Sequence, residues 1–325
     1  MKFKAVIPAA GEGRRLRPHT QATPKPLIEV AGKPILGHII DRLLPAKPDE
    51  VCVIVGASGE PIKDYLTANY QCRFSFVVQD DPKGLGDAVY RARERFSGEP
   101  ALVMLGDTIV DADIASFVGN ENIIAVKEVA DPQRFGIVEM KGDVVTRLVE
   151  KPHVPPSNLA VVGVYFFTDS KPLFASLERL IASGEQTKGE FQLTDALQQM
   201  VRSGTRIVAR KVEHWLDCGT SDALLATNRH LLSRASRYQP RAGCLLVPPL
   251  YIHEKARVEN SIVGPNVSIG ADAVVRDSII RDSIVNRGAR LESALLEGSI
   301  LGESSVVKGS LRRLNLGGFS ELDLV

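Results

Sequence analysis

The residues best suited to chemistry lie in one stretch near the amino terminus, residues 8–27, with the sequence PAAGEGRRLRPHTQATPKPL. Gly11 and Gly13 follow a short apolar run, and glycines at that point let backbone N–H groups approach an anion closely. Arg15 and Lys25 belong to the cluster of cations that follows the glycines. A glycine turn followed by fixed positive charge is what the binding of a triphosphate requires.

Two familiar phosphate-binding patterns do not fit this stretch. A Walker A loop needs four residues between its glycines and then Gly-Lys-Ser/Thr, which is absent. The dinucleotide-binding fingerprint needs a third glycine at position 16, where this chain has Leu16. A solvated basic turn without a ligand is the remaining alternative, and the residues of the stretch alone leave it open.

Composition favours two domains and disfavours several functional classes. The chain has 325 residues, 44% of them hydrophobic, and a formal net charge of +1. This length fits two domains, and the balanced charge gives no electrostatic reason to bind nucleic acid or a membrane. The four cysteines lack CxxC spacing, which argues against a zinc site or a disulfide framework. With no apolar run of membrane-spanning length and no signal peptide, we expect a cytoplasmic protein.

Apolar runs alternate with helical patterns in the first part of the chain. Strands are predicted at residues 3–7, 51–55, 74–79 and 101–105, and helices at 34–44, near 61–68 and from 84. This alternation predicts an α/β fold with a doubly wound, mostly parallel, Rossmann-like sheet. Ligands of such sheets bind beyond the carboxyl ends of the strands, where the glycine loop, Gln79, Gly84 and Asp107 fall. Later elements are less regular, with strands predicted at 123–127, 136–140, 144–150, 160–167 and 206–211, and helices at 171–182, 191–202 and 221–232.

Past residue 243 the helical periodicity stops and short aliphatic units begin. The units repeat every 16 residues, so that the equivalent positions are Ile269, Val285 and Leu301; Val275, Leu291 and Val307; and Ile279, Leu295 and Leu311. Units this short cannot bury a face alone, but stacked coils can. The pattern resembles a left-handed parallel β-helix of hexapeptide repeats, and a few ordinary hairpins are the alternative. We expect a catalytic domain at residues 1–238 and a β-helix domain at 245–325.

The glycine stretch resembles the signature of sugar-1-phosphate nucleotidylyltransferases, GxGxRLxPxT followed by KP. Its matching positions are Gly11, Gly13, Arg15, Leu16, Pro18, Thr20, Lys25 and Pro26. Arg14 is a departure, since the family often has a small hydroxyl residue there. Residues 150–165 look most like long-form glucose-1-phosphate thymidylyltransferases, while uridylyltransferases and mannose-1-phosphate guanylyltransferases stay open.

The resemblance implies transfer of a nucleoside monophosphate from dTTP or UTP to a sugar 1-phosphate, foremost glucose 1-phosphate, with release of pyrophosphate. The attacking phosphate is already an anion, so the reaction needs charge stabilisation rather than a general base. Arg15 and Lys25 are the implied catalytic residues. Asp107 and Asp217 are the implied ligands of one Mg²⁺, whose preference for hard oxygen ligands suits carboxylates and phosphates. The residues alone allow another role for Asp107, as the cap of a helix at residues 109–117.

The resemblance also implies which residues bind the substrates. The implied nucleotide-binding residues are Ala10, Gly11, Gly13, Gln79 and Gly84. Gln79 would offer both a donor and an acceptor to a pyrimidine edge, and a side chain at Gly84 would collide with the base. The implied sugar-phosphate residues are Gly136, Glu150, Lys151, Gly163 and Glu190.

We therefore expect a nucleoside triphosphate and a sugar 1-phosphate as partners, no nucleic acid, no membrane, and a homo-oligomer. A non-catalytic sugar-nucleotide sensor on the same fold is the alternative from a different functional class. A sensor could lose either cation or either carboxylate and still bind its ligand. The presence of all four in this chain favours the enzyme.

Overall fold

A computed structural model of the chain describes residues 1–309 and divides into two compact units. The first unit is Met1–Thr227 and the second begins at Asn228. The division falls inside a helix, and the domain limits expected from the sequence, 1–238 and 245–325, stay a prediction. Leu311, the last position of the predicted aliphatic repeat, lies outside the described residues.

The first unit contains most of the strands expected from the apolar runs. They are β1 Lys4–Pro8, β2 Glu29–Val30, β3 Lys33–Pro34, β4 Glu50–Val55, β5 Phe74–Val78, β6 Ala101–Met104, β7 Thr108–Asp111, β8 Ile123–Glu128, β9 Gly136–Lys141, β10 Val144–Glu150, β11 Leu159–Phe167, β12 Val208–Lys211 and β13 His214–Asp217. The helices are α1 Ile35–Leu43, α2 Glu60–Asn69, α3 Leu85–Arg91, α4 Ser170–Ser183, α5 Leu193–Arg202 and α6 Ser221–Arg234. Within residues 1–309, no helix combines the length and the apolar character needed to cross a membrane.

Nine of these strands form one sheet in the order β5-β4-β1-β6-β11-β8-β12-β10-β9. The strands β5, β4, β1 and β6 pair in parallel, and every residue of β4 and β6 is buried. Such continuous apolar runs are typical of strands covered by helices on both faces. The other half of the sheet mixes parallel and antiparallel pairs. The predicted doubly wound α/β fold is confirmed.

The loops that carry the predicted site residues leave neighbouring strands at the same edge of the sheet. Backbone hydrogen bonds extend the ladders past the strand ends, from Ala9 N to Ile54 O (2.7 Å) and from Gln79 N to Val55 O (2.8 Å). On the other side of β1, Gly106 N donates to Pro8 O (3.0 Å). The glycine loop after β1 therefore lies between the segment that begins at Gln79 and the one that contains Asp107.

The segment after Asp107 is a strand, so the alternative of a helix at residues 109–117 is wrong. Its β-branched sequence, Thr-Ile-Val-Asp, pairs antiparallel with β13, and a helical turn forms only at Ile114–Phe117. The pairing partner lies about a hundred residues further along the chain, and a local pattern gives no sign of it. Asp107 therefore does not cap a helix, and its carboxylate has another role.

The second unit is built from short parallel strands. They are β14 Leu245–Leu246, β15 Leu250–Ile252, β16 Arg257–Glu259, β17 Ile262–Val263, β18 Val267–Ile269, β19 Val274–Arg276, β20 Ile279–Arg281, β21 Ile284–Val285, β22 Arg290–Glu292, β23 Leu295–Glu297, β24 Ile300–Leu301 and β25 Val306–Lys308. They form three parallel sheets, ordered β14-β17-β20-β23, β15-β18-β21-β24 and β16-β19-β22-β25. The pairs Ile269↔Val285 and Val275↔Leu291 confirm the predicted equivalences. This arrangement is consistent with the predicted left-handed parallel β-helix.

The corners of the coils explain why polar residues recur in an otherwise aliphatic pattern. Asn260, Asp277 and Ser293 occupy equivalent corners with φ of 46°, 48° and 54°. Asn and Asp are the non-glycine residues that adopt this left-handed conformation most readily. Ser278, which follows Asp277, donates from its Oγ to Arg276 O (2.6 Å) and accepts at the same atom from Ala294 N (3.1 Å). These serine contacts tie one coil to the next and satisfy polar groups near the core.

Leu291 and Glu292 provide a matched test of this core, since they are adjacent in β22 and face opposite ways. Leu291 is 1% exposed inside the coils, whereas Glu292 is exposed. We expect Leu291→Ala to lower the free energy of unfolding by about 2–5 kcal/mol, because it leaves a cavity in the core. Glu292→Ala should change it by no more than about 0.5 kcal/mol. Chemical unfolding of both variants checks this, and equal losses would contradict the inward orientation of Leu291.

Candidate active site

The glycine loop forms a tight turn, and one position of this turn, residue 13, requires glycine. Gly13 has φ of 62°, and a Cβ there would lie 2.8 Å from the Thr20 methyl and 3.0 Å from Lys25 Cβ. The Thr20 hydroxyl donates to Gly13 O (3.0 Å), which fixes the turn. Gly11 has open space around it, and a Cβ there would meet no atom within 4 Å. The signature residues therefore pack on one another around Gly13.

Lys25 and Asp107 form an ion pair beside the loop, in which the lysine is buried and the aspartate side chain is 41% exposed. Lys25 is 6% exposed, and its ammonium group donates to Asp107 Oδ2. The hydroxyl of Thr108 donates to the other carboxylate oxygen (3.2 Å). Burial alone would raise the pKa of the Asp107 carboxyl, but Lys25 and Thr108 lower it by more, so the pKa lies below its ordinary value. Asp107 is therefore ionised at neutral pH.

Asp217 is placed next to Asp107 by the β7–β13 ladder. It stands opposite Thr108 in the register, and Cys218 N donates to Asp107 O (3.3 Å). Burial, and then the charge of Asp107, raise the pKa of the Asp217 carboxyl above its ordinary value. A pairing between distant segments thus brings together the two carboxylates that the resemblance implied as metal ligands.

Arg15 completes a cluster of four charged groups, which we call the charge cluster: Arg15, Lys25, Asp107 and Asp217. A Cβ at Gly219 would lie 2.8 Å from Arg15 Nη2 and 3.0 Å from Asp217 Oδ1. Arg15 and Lys25 both act electrostatically on Asp107 and Asp217. Two cations and two carboxylates therefore meet where the glycine loop faces the end of β13.

Three members of the charge cluster, Arg15, Lys25 and Asp107, line a cleft of about 620 Å³, and Asp217 does not line it. The predicted residues that line the cleft are Ala10, Gly11, Gly13, Arg15, Lys25, Gln79, Gly84, Asp107 and Glu190. Lys188 also lines it, with φ of 56°, and was not predicted. Its only signal in the sequence is its position just before the Gly-Glu pair that contains Glu190. The cleft is therefore lined by a cation that comes from a segment far from the glycine loop in sequence.

Gly84 and Gln79 lie at the end of the cleft where α3 begins. Gly84 has φ of 111°, and a Cβ there would lie 2.7 Å from Phe191 O. The need for glycine at this position is thus explained by the neighbouring backbone, without a base. Gln79 is 4% exposed, and its Nε2 donates to Asp87 Oδ2 (2.7 Å) and Gly84 O (3.3 Å). The expectation that Gln79 offers a donor is therefore corrected, because both of its N–H groups have partners within the protein.

Gly136, Glu150 and Lys151 come together away from the residues that line the cleft. A Cβ at Gly136 would lie 3.0 Å from Glu150 Oε2, which accepts from the Thr194 hydroxyl (2.7 Å). The side chain of Glu150 is 9% exposed, and Lys151 Nζ lies 3.2 Å from its Oε1. This carboxylate is thus buried and fixed in position by its neighbours.

The last two predicted sugar-phosphate residues differ in setting. Gly163 lies in β11 where the register with β8 shifts, and a Cβ there would lie 2.7 Å from the Leu105 side chain. Leu105 itself lines the cleft. Glu190 is exposed in the cleft wall, and its Oε2 accepts from Gln192 Nε2 (3.0 Å). The sugar-phosphate roles of all five residues stay predictions.

The geometry establishes a cleft lined by a glycine loop, two cations and Asp107, with Asp217 beside Asp107 at the end of β13. Residues 4–234 match the pattern of one protein family, described as nucleotidyl transferase. The chain belongs to the nucleotidyl transferase family. Relatives of this nucleotidyl transferase include Agl11 from Haloferax volcanii, a low-salt glycan biosynthesis nucleotidyltransferase. It is 35% identical over 246 residues, which cover 72% of this chain and 67% of Agl11.

A second relative, the UTP–glucose-1-phosphate uridylyltransferase AglF of the same organism, is 33% identical, with 67% of this chain and 91% of AglF covered. The bifunctional protein GlmU of Methanococcus vannielii is 36% identical over 70% of this chain, which spans about half of GlmU (55%). The fold is similar to UDP-glucose pyrophosphorylase complexed with UDP-glucose (TM-score 0.64, 26% identity, 72% of this chain and 100% of that one). A putative glucose-1-phosphate thymidylyltransferase from Bacillus anthracis gives a TM-score of 0.64 with 27% identity, covering 73% of this chain and 98% of that one.

The two glycines of the loop give a matched test of its geometry. We expect Gly13→Ala to lower the free energy of unfolding by about 1–3 kcal/mol, because alanine is strained at this φ and its methyl meets Thr20 and Lys25. Gly11→Ala, with open space around the methyl group, should lower it by no more than about 0.5 kcal/mol. Thermal unfolding of both variants measures the difference, and equal losses would show that the loop is not held as described.

Proposed function

We propose that this chain is a sugar-1-phosphate nucleotidyltransferase, which transfers a nucleoside monophosphate to a sugar 1-phosphate and releases pyrophosphate. The observation that carries the proposal is the convergence of the charge cluster at the cleft behind the glycine loop. The names of several relatives support the same class of substrate, since AglF is a glucose-1-phosphate uridylyltransferase and one solved structure contains UDP-glucose. We further propose glucose 1-phosphate as the sugar phosphate, with dTTP or UTP as the donor.

The proposed reaction joins two anionic reactants, and the chain's cations meet that demand. The sugar phosphate oxygen attacks the α-phosphorus, the bond to the β-phosphate oxygen breaks, and pyrophosphate leaves with its electron pair. Negative charge grows on the α-phosphate oxygens and the leaving group during this step. Arg15 and Lys25 are placed to stabilise that charge, as are the backbone N–H groups of residues 10–13. Because Lys25 is buried and already paired, its position is fixed before substrate binds.

Asp107 and Asp217 suit a divalent cation, which we propose to be Mg²⁺. Their adjacent carboxylates offer the hard oxygen ligands that Mg²⁺ prefers. Among residues 1–309 there is no group of three acidic, histidine or cysteine side chains that could hold a metal. Two protein ligands fit an ion whose remaining positions go to water and substrate phosphates. When bound, such an ion neutralises phosphate charge and orients the triphosphate.

For the sugar, we propose that Gly136, Glu150, Lys151, Gly163 and Glu190 contribute as the resemblance implies. The support differs among them, because Glu190 lies in the cleft wall while Glu150 is held by Thr194 and Lys151. A carboxylate held in this way can accept hydrogen bonds from sugar hydroxyls without reorganising. Lys151 and the unpredicted Lys188 would add positive charge for the sugar phosphate.

A substrate screen tests the proposed function directly. Four nucleoside triphosphates are combined with several sugar 1-phosphates in the presence of Mg²⁺, and pyrophosphate release is measured against blanks lacking the sugar. We expect release with glucose 1-phosphate and dTTP or UTP, and none after removal of the metal with a chelator. If no pair releases pyrophosphate, the non-catalytic sensor is the better interpretation.

The charge cluster predicts which arginines and lysines matter for turnover. Replacing Arg15 or Lys25 by Ala should lower kcat about 10²–10³-fold, the effect of losing one preorganised charge-stabilising group. Lys211→Ala is the control, because Lys211 is mostly exposed (61%), pairs with Glu128 (2.7 Å) and does not line the cleft. Steady-state pyrophosphate release measures all three variants. A kcat of Lys25→Ala close to that of Lys211→Ala would remove Lys25 from the proposed mechanism.

We propose that residues 1–238 carry catalysis and that residues 245–325 carry self-assembly. One outer face of the second unit holds a row of stacked aliphatic side chains, the exposed aliphatic row: Leu245, Ile262, Ile279 and Leu295, which are 59%, 37%, 40% and 76% exposed. On the sheet β15-β18-β21-β24, by contrast, outward-facing Ser268 and Ile284 are buried. The equivalent row of the third sheet is interrupted by Arg257 and Arg290. A continuous apolar row is typical of an interaction surface.

The charges beside the exposed aliphatic row favour a second copy of this chain as the occupant. Arg281 and Glu297 flank the row on consecutive coils, with Arg281 Nη2 2.6 Å from Glu297 Oε2. A two-fold axis through the row would place each Arg281 opposite the Glu297 of the other copy, so the face is complementary to itself. The proposed homo-oligomer therefore joins apolar rows and keeps charges of opposite sign together.

Leu295 and Val306 provide a matched pair for the assembly. We expect Leu295→Glu to reduce the mass of the particle in solution, because it puts a charge into the exposed aliphatic row of the proposed interface. Val306→Glu places the same charge at an exposed position (58%) on the third sheet and should leave the mass unchanged. Light scattering measures both. A monomeric wild-type protein, or a loss of mass only in Val306→Glu, would contradict the interface.

A further inference from the structure

We propose that Asp87 is a positioning residue that fixes the polarity of the Gln79 amide and thereby selects the base of the nucleotide. This inference rests on the proposed function, since it concerns the triphosphate bound in the same cleft. The base class it selects has a hydrogen-bond donor at the centre of its pairing edge. The N3–H group of uracil and thymine is such a donor, whereas cytosine N3 and adenine N1 are acceptors.

The three side chains involved form a chain of contacts from the surface of α3 to the cleft. Arg91 Nε donates to Asp87 Oδ1 (3.3 Å), one turn away on the same helix. Gln79 Nε2 donates to Asp87 Oδ2 (2.7 Å). Both oxygens of Asp87 are therefore engaged, and the residue is only 5% exposed. Asp87 does not line the cleft, so it acts on a bound nucleotide through Gln79.

These contacts leave one orientation for the Gln79 amide. The Asp87 carboxylate, which also accepts from Arg91, and the backbone carbonyl of Gly84 accept hydrogen bonds, so the NH₂ group must face Asp87 and Gly84. The Oε1 atom of Gln79 then points away from Asp87 and Gly84, and none of residues 1–309 donates a hydrogen bond to it. Because Gln79 lines the cleft, it presents a fixed acceptor to the ligand.

A fixed acceptor discriminates between bases where a rotating amide does not. A glutamine that can flip supplies a donor or an acceptor as the ligand requires. The locked amide can accept from the N3–H of uracil or thymine, but it faces the lone pair of cytosine N3 with another lone pair. Leaving buried polar groups unpaired in the wrong complex is an effective source of specificity. The amide gives no means of separating uracil from thymine, which differ only in a methyl group on another edge.

UTP and CTP are the matched probes, because they have the same size and differ in donor and acceptor pattern. Their dissociation constants are measured by calorimetry with Mg²⁺ and without a sugar phosphate, for the wild-type protein and for Asp87→Asn. An asparagine at this position can either accept from or donate to the Gln79 amide, so the orientation of that amide is no longer fixed. We expect the wild-type protein to bind UTP at least about tenfold more tightly than CTP. In Asp87→Asn the preference should fall below about threefold, with dTTP following UTP throughout.

Glu94→Gln is the control, since it removes the same single charge from an exposed side chain that pairs with Arg93. Its UTP preference should equal that of the wild-type protein. If circular dichroism shows that Asp87→Asn does not fold, Gln79→Leu replaces it and should abolish the preference. A wild-type protein without the preference, or a variant of Asp87 or Gln79 that keeps it, overturns the inference. A failure of the proposed function is distinct, because it shows as absent pyrophosphate release while nucleotide binding is still measurable.

Discussion

The ion pair between the buried Lys25 and Asp107 is the interaction on which the rest of the site depends. An ammonium group taken out of water costs several kcal/mol unless a carboxylate lies beside it. The pair therefore ties the glycine loop after β1 to the segment after β6, although the two are about eighty residues apart in sequence. The turn at Gly13 packs on the side chain of Lys25, so the conformation of the loop depends on the same contact.

The charges of the cluster balance in the free protein, which explains how it can be preorganised. Arg15 and Lys25 carry two positive charges, and Asp107 and Asp217 carry two negative ones when both are ionised. Without the carboxylates, two cations in a cleft would repel each other. With a divalent cation on the carboxylates, the proposed site would have a net positive charge, which suits a triphosphate and a sugar phosphate. Stability without substrate and attraction for anions thus come from the same four residues.

Sequence predicted the parts of this structure that depend on local pattern. Apolar runs predicted the strands β1, β4, β5 and β6, and the 16-residue repeat predicted the stacked coils. Contacts between segments that are distant in sequence could not be predicted from local patterns. The β7–β13 pairing places Asp107 next to Asp217. The contact with Asp87 fixes which end of the Gln79 amide faces the cleft. Lys188 was missed because a lysine before a glycine turn has no distinguishing pattern until the fold places it in the cleft.

We propose that cations and backbone groups promote a direct transfer, with no nucleophile from the protein. The stereochemistry at the α-phosphorus tests this most directly. A chiral α-thiotriphosphate is used as the donor, and the configuration of the sugar-nucleotide product is determined by phosphorus NMR. One in-line displacement by the sugar phosphate predicts inversion of configuration at phosphorus. Retention would contradict a direct transfer, because it requires two displacements and therefore a nucleotidyl group bound covalently to the protein.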